Sequence, residues 1–205
     1  MKILIMRFSS FGDIAQCLSC LRPLKKKFPQ AEIHFLTKEQ FAPLVALDPD
    51  VDQVLSFGVR SDLSNLSLLA KKIKESGYTH VYDAHIVLRT RLLWLRLLPW
   101  LLMNKVHYLV RSKNRWKRFL YFFFRLKTFT FPFYGAKSYL EPLAFLGVAK
   151  LSLEEKNWKF TDRDLALFDE HHLPQDYFVF APSAAWEMKR WPISHWQELL
   201  KTCHA

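Results

Sequence analysis

Short apolar runs alternate along the chain with longer segments whose apolar residues recur every three or four positions. Lys2–Met6 is a continuous apolar run that meets Arg7, which predicts a buried strand. Glu32–Leu36, Gln53–Phe57 and His80–Asp83 predict three more strands, and Lys105–Val110 a fifth. Helical spacing fills the gaps. A helix runs from Ile14 to Phe28 and is stopped by Pro29, and Lys38–Leu47 forms a short one. Asp62 caps a helix that runs through Ser76 and ends at Gly77, and another starts near Ile86. This order predicts an α/β, Rossmann-like domain with a parallel sheet. Ala136–Leu146 then reads as a helix ended by Gly147, Glu154–Phe160 as a strand or linker, and Asp162–Glu170 as a short helix. Tyr177–Ala181 predicts a fresh buried strand, followed by a polar loop and a helix from about Ser194 to Cys203. The boundary falls near residue 160, with residues 161–205 opening a second α/β domain.

Charge adds a regional feature. The chain of 205 residues carries 30 Lys plus Arg against 19 Asp plus Glu, a net of +11. Ala84–Leu140 holds 12 of the basic residues and no acidic one, which leaves 18 against 19 elsewhere. The excess therefore sits in one central block, which also carries 14 of the 32 aromatic residues. That distribution argues against a protein that coats nucleic acid uniformly. The longest apolar stretch, Leu92–Met103, is broken by Arg96 and Pro99 and is roughly half the length a membrane-spanning helix needs. Met1–Met6 is too short for a secretory signal. Cys17 and Cys20 fall on one helical stripe with Leu21 and Leu24, so they read as buried thiols rather than a redox or zinc pair. Reduced thiols suit a cytoplasmic protein.

Four places could carry chemistry. Ser9-Ser10-Phe11-Gly12-Asp13 follows the first strand, where a parallel sheet binds ligands. Gly12 lets a ligand approach the backbone. Asp13 is either a helix cap or a general base taking a proton from a substrate hydroxyl. G-x-G-x-x-G is absent. In the second place, Pro182–Pro192, Ser183 can donate to a phosphate while Lys189 and Arg190 neutralise a diphosphate, unless the loop is simply solvated. In the third, Asp83 ends a strand and either binds a sugar hydroxyl or caps the next helix; His85 lacks partners at metal-ligand spacing. The fourth is the basic aromatic block around Arg111, Lys113, Arg115, Lys117 and Arg118. It is a solvated helix face, a nucleic-acid surface, or a surface for anionic or phosphorylated lipid. No RNA- or DNA-binding motif accompanies it, which favours lipid and no nucleic acid.

Taken together, KILIMRFSSFGDIAQCLSCLRPLKKKFPQAEIHFLTKEQF, GYTHVYDAHIVLRTRLL and YFVFAPSAAWEMKRWPISHWQELL resemble glycosyltransferase family 9, the lipopolysaccharide heptosyltransferases. The resemblance implies a GT-B architecture: two Rossmann-like domains, the first for a lipid A–inner core acceptor, the second for a nucleotide-sugar, usually ADP-heptose. It implies inverting transfer without a metal or other cofactor, on the cytoplasmic face of the inner membrane with peripheral contact. Asp13 falls at the family's catalytic base, and Ser10 and Gly12 on the acceptor side. Ser183, Lys189 and Arg190 fall on the donor side. Arg60, Arg111, Arg115 and Arg118 would meet acceptor phosphates. Family members continue through a whole second domain with an Asp-Thr-Gly…His segment, whereas this chain ends at Ala205. The alternative expectation is therefore a non-catalytic module that binds acceptor or membrane.

Overall fold

The computed structural model describes residues 1–58, 63–129, 134–148, 150, 157–171, 177–184 and 187–203. Two compact units divide the chain, Met1–Lys159 and Phe160–Ala205.

The first unit is built on five parallel strands: β1 (Lys2–Met6), β2 (Glu32–Lys38), β3 (Gln53–Phe57), β4 (His80–Asp83) and β5 (His107–Val110). Their order is β3-β2-β1-β4-β5. β1 is central and buried on both faces, so its apolar run needs no alternation. On one face Ile3, Ile5, Phe35 and Tyr82 pack against Ile14, Cys17, Leu21 and Leu24. These come from α1 (Phe11–Leu18) and α2 (Leu21–Lys27). On the other, Leu4, Met6, Leu36 and Val81 meet α4 (Leu63–Glu75) and α5 (Leu88–Met103) through Ile73, Leu93 and Leu97. A short α3 (Ala42–Ala46) lies between β2 and β3. Covering both faces with helices is what a parallel sheet requires, and the chain reverses direction along the sheet between β1 and β4. Ligands bind beyond the carboxyl ends at such a point.

Several elements differ from the sequence expectation for local reasons. The helix expected over Ile14–Phe28 is two helices, broken at Ser19 and Cys20. Pro23 cannot donate to the carbonyl of Ser19, and its ring clashes there. The helix expected over Ala136–Leu146 is one turn, α7 (Lys137–Leu140), followed by a tighter 3-10 turn over Glu141–Leu146. Pro142 falls in its first turn, and Gly147 ends it at φ +73°. The Lys38–Leu47 segment likewise begins as a 3-10 turn, Glu39–Phe41. Asp62 and residues 154–156 lie outside the described residues.

The second unit holds α8 (Asp162–Glu170) and α9 (Ile193–Cys203). Thr161 and Asp164 close a reciprocal cap on α8: the Asp164 N–H donates to Thr161 Oγ1 at 3.2 Å, and the Thr161 N–H to Asp164 Oδ2 at 2.8 Å. Tyr177–Ala181, expected as a buried strand, is not one. Tyr177, Phe178 and Val179 are exposed and pair with no neighbour in a sheet among the described residues. An extended segment without a ladder partner has no internal route to satisfy its backbone. α9 is held locally by a cluster of rings, with Trp196 5.0 Å from Trp191 and 5.8 Å from Phe180.

Candidate functional site

The register carries three residues to one level just past the strand ends. Arg7 N–H donates to the Leu36 carbonyl, Ala84 N–H to Met6, and Arg111 N–H to Asp83. Arg7, Ala84 and Arg111 therefore stand side by side on the edge of β1, β4 and β5. By alternation the two arginines face the α1–α2 side of the sheet. Arg7 is buried and Arg111 half-buried, a guanidinium withdrawn from water must be paired, and each of these is paired differently.

Arg7 Nη2 lies 2.6 Å from Asp13 Oδ2, and its Nη1 donates to the Ala84 carbonyl at 2.8 Å. Arg111 donates to Ser138 Oγ through Nε at 3.1 Å and Nη2 at 2.8 Å. Its guanidinium carbon also sits 3.7 Å from the centre of the Tyr139 ring. Tyr139 itself donates its hydroxyl to Asp13 Oδ1 at 3.2 Å. Its backbone carbonyl accepts from the Tyr82 hydroxyl at 2.9 Å. The ring is thus fixed from the sheet, capped by one arginine and aimed at the carboxylate.

Asp13 is the third residue of α1, and Ser10 takes the N-cap position. Ser10 Oγ donates to Asp13 Oδ2 at 2.9 Å. Partial burial raises the carboxyl's pKa, but the Arg7 charge and the hydrogen bonds from Ser10 and Tyr139 outweigh it. Asp13 is held below the ordinary carboxylate range. Its side chain keeps 39% of its exposure, so the ionised group is braced from behind and open in front. At Gly12 an added Cβ would meet nothing within 4 Å, leaving open space beside that carboxylate. Two polar atoms at this edge, Arg7 Nε and Thr37 Oγ1, are buried and lack a hydrogen-bond partner among the described residues.

The β4 loop forms the other wall. Asp83 is buried, and its Oδ1 accepts from the N–H groups of His85 and Ile86, both at 2.9 Å. Tyr108 donates to Oδ2 at 3.4 Å. Of the two roles weighed for Asp83, the structure shows it holding the backbone. It closes a turn rather than capping a helix, since α5 begins only at Leu88. Ile86 sits at φ +53°, which a β-branched residue adopts at a cost of about 1–3 kcal/mol. Asp83 and Lys113 pin it, the latter through Nζ to the Ile86 carbonyl at 2.6 Å. His85 accepts the Phe8 N–H at Nδ1, 3.4 Å away. Burial, with Arg7 and Lys113 nearby, lowers its pKa to about 4, so the imidazole is neutral.

Beside this loop opens a cationic cavity of about 410 Å³ lined by Ile86, Arg91, Lys113, Arg115, Trp116 and Lys117, among others. Arg115 and Arg118 belong to α6 (Arg115–Phe124); the first borders the cavity and the second does not. Arg60 lies outside the described residues. In the second unit, Ser183, Lys189 and Arg190 are exposed; Lys189 ends a 3-10 turn, Glu187–Lys189, and Arg190 Nε donates to the Ala184 carbonyl at 2.8 Å. The structure thus brings Ser10, Gly12, Asp13 and Arg111 to one edge with Asp83 behind them. Arg7 and Tyr139 belong to the same cluster and escaped the sequence reading. A cation directly after a fully apolar strand was the available signal for Arg7. Tyr139, 126 residues from Asp13, offered none. Among the described residues no group of three or more His, Cys, Asp or Glu could hold a metal ion.

Comparison with known proteins agrees with the resemblance. Residues 144–205 match the model of glycosyltransferase family 9 (heptosyltransferase). Lipopolysaccharide heptosyltransferase 1 of Pseudomonas aeruginosa is 25% identical over 211 residues, covering 97% of this chain and 57% of that protein. A family 9 glycosyl transferase from Veillonella parvula superposes with TM-score 0.69 at 18% identity, over 97% of this chain and 58% of its own. Escherichia coli heptosyltransferase WaaC, solved with ADP, superposes with TM-score 0.60 at 20% identity, over 98% of this chain and 64% of its own. The fold is that of the amino-terminal Rossmann-like part of such GT-B proteins. The chain spans less than two thirds of the length of each.

Proposed function

We propose that this chain, similar along nearly its whole length to family 9 glycosyltransferases, is the acceptor-side part of a glycosyltransferase of lipopolysaccharide biosynthesis. The observation that carries the reading is Asp13: an ionised carboxylate at the carboxyl edge of β1, braced by Arg7, Ser10 and Tyr139 with open space in front. Asp13 takes the proton of an acceptor hydroxyl as that oxygen attacks the anomeric carbon of the donor sugar. The new C–O bond forms as the bond to the donor diphosphate breaks from the opposite side, which inverts the anomeric centre. The departing nucleoside diphosphate carries the electron pair, and Ser183, Lys189 and Arg190 supply hydrogen bonds and positive charge to its oxygens. No step calls on a metal. A carboxylate held below its usual pKa is a weak base, so the proton moves as attack proceeds rather than before it.

The donor is proposed to be ADP-heptose, and the acceptor a lipid A–inner core glycolipid at the cytoplasmic face of the inner membrane. The WaaC structure with ADP supports the nucleotide. Lys113 and Arg115, which line the cationic cavity, are placed to meet acceptor phosphates, with Arg111 at the strand edge just before them.

The test is a transfer assay with ADP-heptose and a heptose-deficient acceptor, read as ADP release, run beside acceptor binding. Asp13→Asn lowers transfer by about 10² to 10⁴ while leaving acceptor affinity within a few-fold. Undiminished turnover by Asp13→Asn removes the assigned base. Acceptor binding without turnover in the unsubstituted chain favours the non-catalytic binding module.

A further inference from the structure

Helix α6 lends only its first turn, Arg115, Trp116 and Lys117, to the cationic cavity, and the rest of it lies outside the site. Its sequence, RWKRFLYFFF, carries a large apolar content for ten residues, yet none of its residues is buried. Trp116 is 76% exposed, Phe122 75% and Phe123 74%, with Phe119 and Phe124 exposed as well. Trp116, Phe119 and Phe123 fall at i, i+3 and i+7, and their rings touch in series. The centroids are 6.0 Å apart for Trp116 and Phe119 and 4.6 Å for Phe119 and Phe123. They make one continuous apolar stripe rather than separated platforms. At 100° per residue, Arg115 borders that stripe, while Lys117 and Arg118 fall on the opposite half of the helix. The segment Arg111–Lys127 contains seven Lys or Arg and no Asp or Glu.

We infer that α6 is a membrane-surface helix that lays its Trp116–Phe119–Phe123 stripe into an anionic lipid bilayer. A stripe of rings with a cation beside it and a cationic opposite face is the pattern that buries its apolar face at the headgroup boundary while its charges meet acidic headgroups. The charge argues for lipid over a second copy of the chain, because a copy would bring an equally basic block against this one. No helix among the described residues is long and apolar enough to cross a membrane, so contact would be along the surface. The inference deepens the acceptor reading by saying how the acceptor's membrane is met. It does not need that reading to be right, because its test uses neither acceptor nor donor.

The experiment is co-sedimentation of the purified chain with phosphatidylcholine vesicles, and with vesicles containing one third phosphatidylglycerol. The chain should partition onto the anionic vesicles and much less onto the neutral ones. Salt should weaken the binding without abolishing it. Trp116→Ser/Phe119→Ser/Phe123→Ser should lower partitioning by at least about tenfold with an unchanged circular dichroism spectrum. Trp116→Ser alone should lower it by a smaller factor and serves if the triple variant misfolds. Equal binding of the variants and the unsubstituted chain overturns the inference, as does failure of that chain to bind anionic vesicles. A triple variant that loses self-association instead of vesicle binding assigns the stripe to a second copy. Tighter binding to a single-stranded oligonucleotide than to vesicles assigns it to nucleic acid.

Discussion

The carboxyl edge of the sheet and helix α6 draw on the same residue types, arginines and aromatic rings, and dispose of them in opposite ways. At the edge, Arg7 and Arg111 each meet specific partners, and Tyr139 is fully buried between the sheet and Asp13. In α6 the rings and cations face outward, with no buried residue at all. Enclosed partners fix geometry and shift a pKa, which chemistry on a single hydroxyl needs. Exposed rings beside cations fix nothing by themselves and suit a broad, non-directional surface. The regions should therefore respond differently to substitution: the edge in rate, stability and pH dependence, the ring stripe of the helix first in partitioning.

The largest expected effect is on rate. Asp13→Asn removes the proton acceptor and keeps the shape, so transfer falls by about 10² to 10⁴. In the unsubstituted protein the acid limb of the pH–rate profile should lie below the ordinary carboxylate range, because Asp13 is held there. Next is Arg7→Met, which strands the Ala84 carbonyl and leaves Asp13 without its cation. Since Asp13 is partly exposed, the expected cost is about 1–3 kcal/mol by chemical denaturation, below that of a fully enclosed pair. The acid limb should move up with it. Tyr139→Phe keeps the ring under Arg111 and removes one hydrogen bond to Asp13. It should cost about 0.5–1.5 kcal/mol and shift the acid limb upward with little change in KM. A purely packing role for Tyr139 would leave the limb in place.

His85 gives a pH test of stability. Its folded pKa of about 4 lies below the unfolded value near 6.5. Its contribution is therefore complete above about pH 6.5 and is lost as pH falls toward 4, where the unfolded chain binds the proton first. Denaturation midpoints measured across that window should fall, and His85→Gln should flatten the slope. The smallest effect on stability belongs to the triple α6 substitution, within about 0.5 kcal/mol, because exposed side chains contribute little to the folded core.

How much of this was legible in the sequence follows the range of the interactions. All five strands were visible from their own residues: the central β1 is a nearly continuous apolar run, and the edge strands β3 and β5 are short runs rich in β-branched and aromatic residues between turn residues. Ser10, Gly12 and Asp13 were legible because they follow the first strand in sequence. The breaks at Pro23 and Pro142 were legible in principle, each proline sitting one turn past a carbonyl it obstructs. The Asp13–Tyr139 bond was not, since nothing in one segment refers to the other. Asp83 could not be apportioned between ligand and backbone until the turn over His85 and Ile86 was seen. Tyr177–Ala181 has the composition of a strand, but a strand is a relation between segments, and its own sequence does not contain the neighbour.

The central claim is that Asp13 accepts the acceptor proton while the surrounding cluster only positions it. It is tested most directly by measuring ADP release at saturating ADP-heptose and acceptor for the unsubstituted protein and Asp13→Asn, with acceptor affinity measured on both. The expected result is a rate lower by about two to four orders of magnitude with affinity unchanged within a few-fold. Equal rates for the two proteins would contradict it.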